Sequence, residues 1–113
     1  MHPRQHLSQR ASAFCTAMAV ATLASLTPAL AADTTITISN FAFAPAEATI
    51  AAGTKVIFKN GDDTVHSVLA DDGSFHSQAL DTGDEFAFIF ARAGVFSYHC
   101  GLHPFMQGKI VVK

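Results

Sequence analysis

The segment Tyr98-His99-Cys100-Gly101-Leu102-His103-Pro104-Phe105-Met106 gathers a thiol, an imidazole and a thioether at a Cys-x2-His-x2-Met spacing. A strand feeding a tight loop can turn those three side chains toward one point. His66, upstream, can supply a second imidazole. Thiolate and thioether are soft donors that favour Cu(I), and imidazole serves both copper states. Two imidazoles and a thiolate in a trigonal plane, with a weak axial thioether, form a copper site suited to one-electron chemistry. Zinc is the rival metal, but structural zinc sites draw on Cys, His and carboxylate and not on Met. Taken singly, a Met in an apolar context is ordinarily core, a His is ordinarily a satisfied polar residue, and a Cys is often a small buried hydrophobe. The order and spacing of the set turn the weight toward metal. The expected ligands are therefore His66, Cys100, His103 and Met106, around one copper ion.

Strand parity supports that choice. Phe96, Tyr98 and Cys100 share one face, which should be the core face. His99 has the opposite parity and should point out. His66 shares a face with Val68 and can point inward. His76 lies in Gly73-Ser74-Phe75-His76, a loop-like stretch that should leave it in solvent.

From residue 34 onward the chain reads as strands cut by turns. Residues 34–39 alternate, with Ile36 and Ile38 on one side. Further strands are expected over residues 54–59, 64–70, 85–90, 95–100 and 108–112. Asn60-Gly61-Asp62-Asp63, Asp71-Asp72-Gly73 and Asp81-Thr82-Gly83-Asp84 are turn signals between them. No sustained helical period appears in this part. Seven or eight short strands suggest an all-β, antiparallel sandwich whose Phe-rich faces are buried.

The beginning of the chain has the order of an export signal. Arg4 and Arg10 sit in a polar start, an Ala-rich apolar stretch covers residues 11–26, and Ala29-Leu30-Ala31 offers small residues for cleavage. The stretch is short for a membrane span, which needs about 18 apolar residues. The expected organisation is a signal peptide over residues 1–31, a single domain over residues 32–113, and a periplasmic location. Cleavage would remove Cys15 and leave Cys100 alone, so no internal disulfide could form. A metal on the thiolate would protect that thiol and help to hold so small a core together.

The 113 residues allow one domain, and half of them are hydrophobic. The formal net charge is −2. That gives no basic field for nucleic acid. From residue 32 on, five basic residues face nine acidic ones, ordinarily a solvated surface of loops.

At the ligand segment the chain resembles the cupredoxins, the blue type 1 copper proteins, with a loop of the amicyanin and plastocyanin-like kind. Tyr98-His99-Cys100 followed by His103-Pro104-Phe105-Met106 and then Gly108-Lys109 carries the resemblance, together with Gly94-Val95-Phe96-Ser97-Tyr98. It implies an eight-stranded Greek-key sandwich with copper at one end, and electron transport by a monomer that is not an enzyme. It also implies redox partners docking near His103, ringed by Leu102, Pro104, Phe105 and Met106. Two departures stand out. Ser67 occupies a position where the family commonly has an Asn that ties the ligand strand to the ligand loop, and Leu102 replaces a Pro. Two other functions fit the residues less well. A copper chaperone or store would gather several Met residues, yet only Met106 falls in residues 32–113. A copper oxidase or nitrite reductase would need further His residues, and only His76 and His99 are spare.

Overall fold

The computed structural model describes residues 32–113, and the expected signal peptide over residues 1–31 lies outside the described residues. Alternation of β-branched and polar residues builds the first strand, β1 (Thr34–Ser39), which buries Ile36 and Ile38 fully and leaves Thr35 and Thr37 in solvent. The others are β2 (Ala42–Ala44), β3 (Glu47–Ile50), β4 (Thr54–Asn60), β5 (Leu69–Ala70), β6 (Glu85–Phe90), β7 (Gly94–His99) and β8 (Gln107–Val112). They form two four-stranded sheets, ordered β2-β1-β4-β6 and β3-β8-β7-β5. This is the all-β, eight-stranded sandwich expected from the pattern and from the family resemblance.

The sheets close on an aromatic core. Tyr98 is fully buried and meets Phe43 and Phe58 edge to face, with ring centroids 4.8 and 5.2 Å apart. Phe75 reaches in from the loop after β5 and packs on Phe88 and Phe90 of β6. Such contacts add to the transfer of apolar area from water that drives the collapse.

Two features differ from the sequence expectation. The sandwich is not wholly antiparallel, because β1 runs parallel to β4 and β3 parallel to β8. Side-chain period is the same in both ladder types, so the alternation could not reveal direction. The strand expected over residues 64–70 also shrinks to β5. The preceding residues find other partners. The Ser77 hydroxyl accepts from the Val68 N–H at 2.8 Å, and His66 pairs only with Leu80 in an isolated bridge.

One polar side chain frames the turn that leads to His66. Asn60 is fully buried and donates to the carbonyls of Thr64 and Leu80 at 2.9 and 2.8 Å, while its own oxygen accepts the Asp62 N–H. Both N–H groups and the oxygen of that amide are engaged, which stiffens the turn and ties it to the Leu80 segment.

Across β7 and β8, Tyr98 lies opposite Gly108. A Cβ on Gly108 would overlap the phenol of Tyr98. Gly108→Ala is therefore expected to cost about 1–3 kcal/mol of stability in urea unfolding. The Tyr98 hydroxyl is buried with no hydrogen-bond partner among the described residues. An orphaned hydroxyl costs stability, so Tyr98→Phe should be at least as stable as the parent. A loss of more than about 1 kcal/mol in the same assay would show that the hydroxyl has a partner in solution.

Candidate metal centre

Three elements bring the donors to one end of the sandwich. β7 ends at His99 and hands Cys100 to the loop before β8. His66 lies on the segment that precedes β5, fully buried beside Val68. Leu69 and Ala70 of β5 pair with His99 and Tyr98 of β7, which sets the His66 segment next to the end of β7. The ligand loop is closed by two backbone bonds, from Cys100 N–H to the Met106 carbonyl at 3.1 Å and from Met106 N–H to the His103 carbonyl at 2.9 Å.

The Cys100 sulfur is the hub. His66 Nδ1 lies 3.8 Å from it and His103 Nδ1 3.7 Å. One donor atom from each of His66, Cys100 and His103 falls within 4.8 Å of the others. The two imidazole rings are 5.0 Å apart between centroids. Cys100 and His66 are buried and His103 is half-buried. Met106 is buried in the hydrophobic core at the foot of the same loop. His99 points outward and bonds Asp71 at 2.6 Å, and His76 is exposed, so neither joins the cluster.

Ser67, a departure from the family's Asn, nonetheless makes the tie between ligand strand and ligand loop. Its hydroxyl accepts the Gly101 N–H at 2.9 Å, and its own N–H donates to the Cys100 sulfur at 3.3 Å. The shorter side chain suffices because the loop comes close. A Cβ on Gly101 would press on both the Ser67 hydroxyl and Leu69. Burial pushes the Cys100 thiol up. Contacts with the Ser67 N–H, His66, His103 and the Leu102 N–H outweigh it and bring the pKa down to about 6.

Two residues that the sequence reading did not assign to the site stand beside it. Asp62 accepts from His66 Nε2 at 2.8 Å, and the Phe41 ring meets both imidazoles edge on. The Asp62 carboxyl is held below the usual range, chiefly by the Phe41 N–H, with burial working against it. The one sequence signal for Asp62 was its place four residues before His66. Phe41 carried none, because its partners are distant in the chain.

The fold and the donor set together define a small β-sandwich protein built around a mononuclear soft-metal site. The Cupredoxin-like domain family matches residues 13–112. Amicyanin of Paracoccus versutus is 30% identical over 102 residues, which is 81% of this chain and 77% of the relative. Plastocyanin of Rumex obtusifolius is 30% identical over 87 residues, 64% of this chain and 88% of the relative. A purple cupredoxin from Nitrosopumilus maritimus superposes with a TM-score of 0.67 at 30% identity, covering 72% of this chain and all of that one. The chain belongs to the cupredoxin-like family.

A prediction follows for the metal-free protein. The Cys100 pKa falls from about 9 in the unfolded chain to about 6 in the fold. A lowered folded value means that the contribution to stability is full above pH 9 and lost as pH drops through 6. Urea unfolding of the metal-free protein should show this part of its stability rising between those limits, and thiolate absorbance should titrate near pH 6. A midpoint near 9 would contradict the donor arrangement around the sulfur.

Proposed function

We propose that this protein is an exported carrier of single electrons, with one copper ion of the blue, type 1 kind held by His66, Cys100, His103 and Met106. The observation that carries the reading is the approach of two Nδ1 atoms to one buried sulfur. The donors fit copper better than zinc, since a thioether accompanies the imidazoles and the thiolate. Copper bound there supplies the Cu(II)/Cu(I) couple, a one-electron exchange that makes and breaks no bond in a substrate.

The chain does the rest. A thiol with its pKa near 6 is largely thiolate at neutral pH and ready to ligate. Ser67 and the two loop-closing bonds hold the donors in one geometry, so little has to move when charge arrives. His103 is the most accessible of the three clustered donors and lies nearest to solvent. Around it Leu102 is 53% exposed, Phe105 71% and Phe41 41%. Leu102 and Phe105 point outward rather than packing into the core. That apolar rim suits brief docking of donor and acceptor proteins, with the His103 ring edge as the port for electrons.

Transport of electrons is favoured over storage of copper by the single Met in residues 32–113. It is favoured over an enzyme because the spare imidazoles, His76 and His99, stand outside the cluster. Export to the periplasm rests on the signal order of residues 1–31. Among the described residues no helix is long and apolar enough to cross a membrane.

Adding Cu(II) to the purified protein should produce a strong visible thiolate-to-copper band, with a paramagnetic resonance spectrum of a single type 1 centre. Cys100→Ser should abolish the band and lower the thermal stability of the copper-loaded protein, because the thiolate is the strongest ligand. A colourless protein that takes only Cu(I) would point instead to a chaperone. Consumption of oxygen or nitrite by the isolated protein would point to an enzyme.

A further inference from the structure

The turn after β4 and the turn between β1 and β2 meet at one carboxylate. Asp62 accepts from the Asn40 N–H at 2.6 Å, from the Phe41 N–H at 2.9 Å and from His66 Nε2 at 2.8 Å. Asn40 and Phe41 are consecutive non-glycine residues with φ of 53° and 58°. Such a left-handed pair is unfavourable for L-residues and persists only where the surroundings impose it. Successive N–H groups in a turn of this kind converge into a cradle for an anion, here the Asp62 carboxylate.

The same strained pair sets the position of one ring. Phe41 is 41% exposed, yet its ring lies 5.2 Å from His66 and 5.1 Å from His103, perpendicular to both. A carboxylate is only an acceptor, so His66 Nε2 must donate to it. With the Nε2 proton held by Asp62, Nδ1, the atom facing the Cys100 sulfur, is the ring nitrogen that can give up a proton for a metal.

We propose that Asp62 is the positioning residue of the metal centre: it fixes the His66 tautomer that leaves Nδ1 free to bind metal, and it tethers the Asn40–Phe41 turn so that the Phe41 ring caps both imidazoles. This rests on the copper reading given above, and it adds a cap built from a turn distant in sequence from every ligand. Thr82 props the arrangement by donating its hydroxyl to the Asp62 carbonyl at 2.6 Å.

Three variants separate the parts. In Asp62→Asn the oxygen at the Oδ1 position can still accept from the Asn40 N–H, while the amide nitrogen at the Oδ2 position gives up the Phe41 N–H, donates toward His66 Nε2 and favours the opposite tautomer. Phe41→Ala keeps the carboxylate and removes the cap. Asp62→Ala removes both functions. Nitrogen-15 NMR of the metal-free protein should find the Nε2–H tautomer of His66 in the parent and in Phe41→Ala, and a shift toward Nδ1–H in Asp62→Asn. Competition of Cu(II) between protein and a chelator should show Asp62→Asn binding about 10- to 100-fold more weakly, the usual effect of removing a partner that orients a ligand. Phe41→Ala should release copper to the chelator faster than the parent. An unchanged tautomer and unchanged Cu(II) affinity in Asp62→Asn would overturn the proposal, and an unchanged release rate in Phe41→Ala would overturn the cap. A parent protein that stays colourless with Cu(II) would overturn the copper reading itself. The NMR arm, which needs no metal, would still decide whether Asp62 sets the tautomer.

Discussion

A single sulfur atom, buried at the end of the sandwich and ringed by hydrogen-bonding groups, is the constraint on which this molecule is organised. A negative charge cannot be carried into a protein interior without compensation. Here the compensation comes from separate parts of the chain. Ser67 offers its N–H from the segment before β5, and His66 and His103 bring their rings to the sulfur from two different segments. The same groups that make a thiolate tolerable without metal are those that would surround a metal ion. Ionisation of the thiol and construction of the site are thus one problem with one solution.

Rigidity and access are divided between the two ends of the ligand set. His66 and Cys100 are buried, braced by paired strands and by the Ser67 bridge to Gly101. His103 sits on a loop of few residues, closed by its own backbone bonds and rimmed by exposed apolar side chains. For a carrier this division is useful. In the proposed function the buried half would keep the donor geometry constant between redox states, while the loop half would bring the centre within reach of a partner's surface. Asn60 extends the bracing outward, since its three bonds fix the turn that bears Asp62.

Gly108 and Tyr98 show how the core and the site depend on each other. Tyr98 can lie across β8 only because Gly108 has no side chain, and the ring then fills the space between Phe43 and Phe58. Tyr98 is two residues from Cys100 on the same face, so the packing of that ring also sets where β7 delivers the sulfur. The hydroxyl left without a partner is a local cost set against the burial of a large aromatic surface.

Much of this was legible in the residues alone. Period-two alternation put Tyr98 and Cys100 inside and His99 outside, because a strand can present only two faces; His66 and Val68 are buried as expected, but off the ladder and with Ser67 between them buried as well. The softness of Cys, Met and His named the metal, and the local spacing of the loop brought those residue types together. The tertiary structure alone decided the parallel pairing of β1 with β4 and of β3 with β8, since alternation is blind to strand direction. It also decided that residues 66–68 leave the ladder for the Ser77 hydroxyl and the Cys100 sulfur, and that Phe41 and Asp62 reach the imidazoles. Ser67 reaches Cys100 across 33 residues and Asp62 reaches Phe41 across 21, while the nearer contacts, Val68 with Ser77 and Asp62 with His66, depend on a backbone path that no residue type announces. Their energy comes from a meeting of turns that exists only once both sheets have closed.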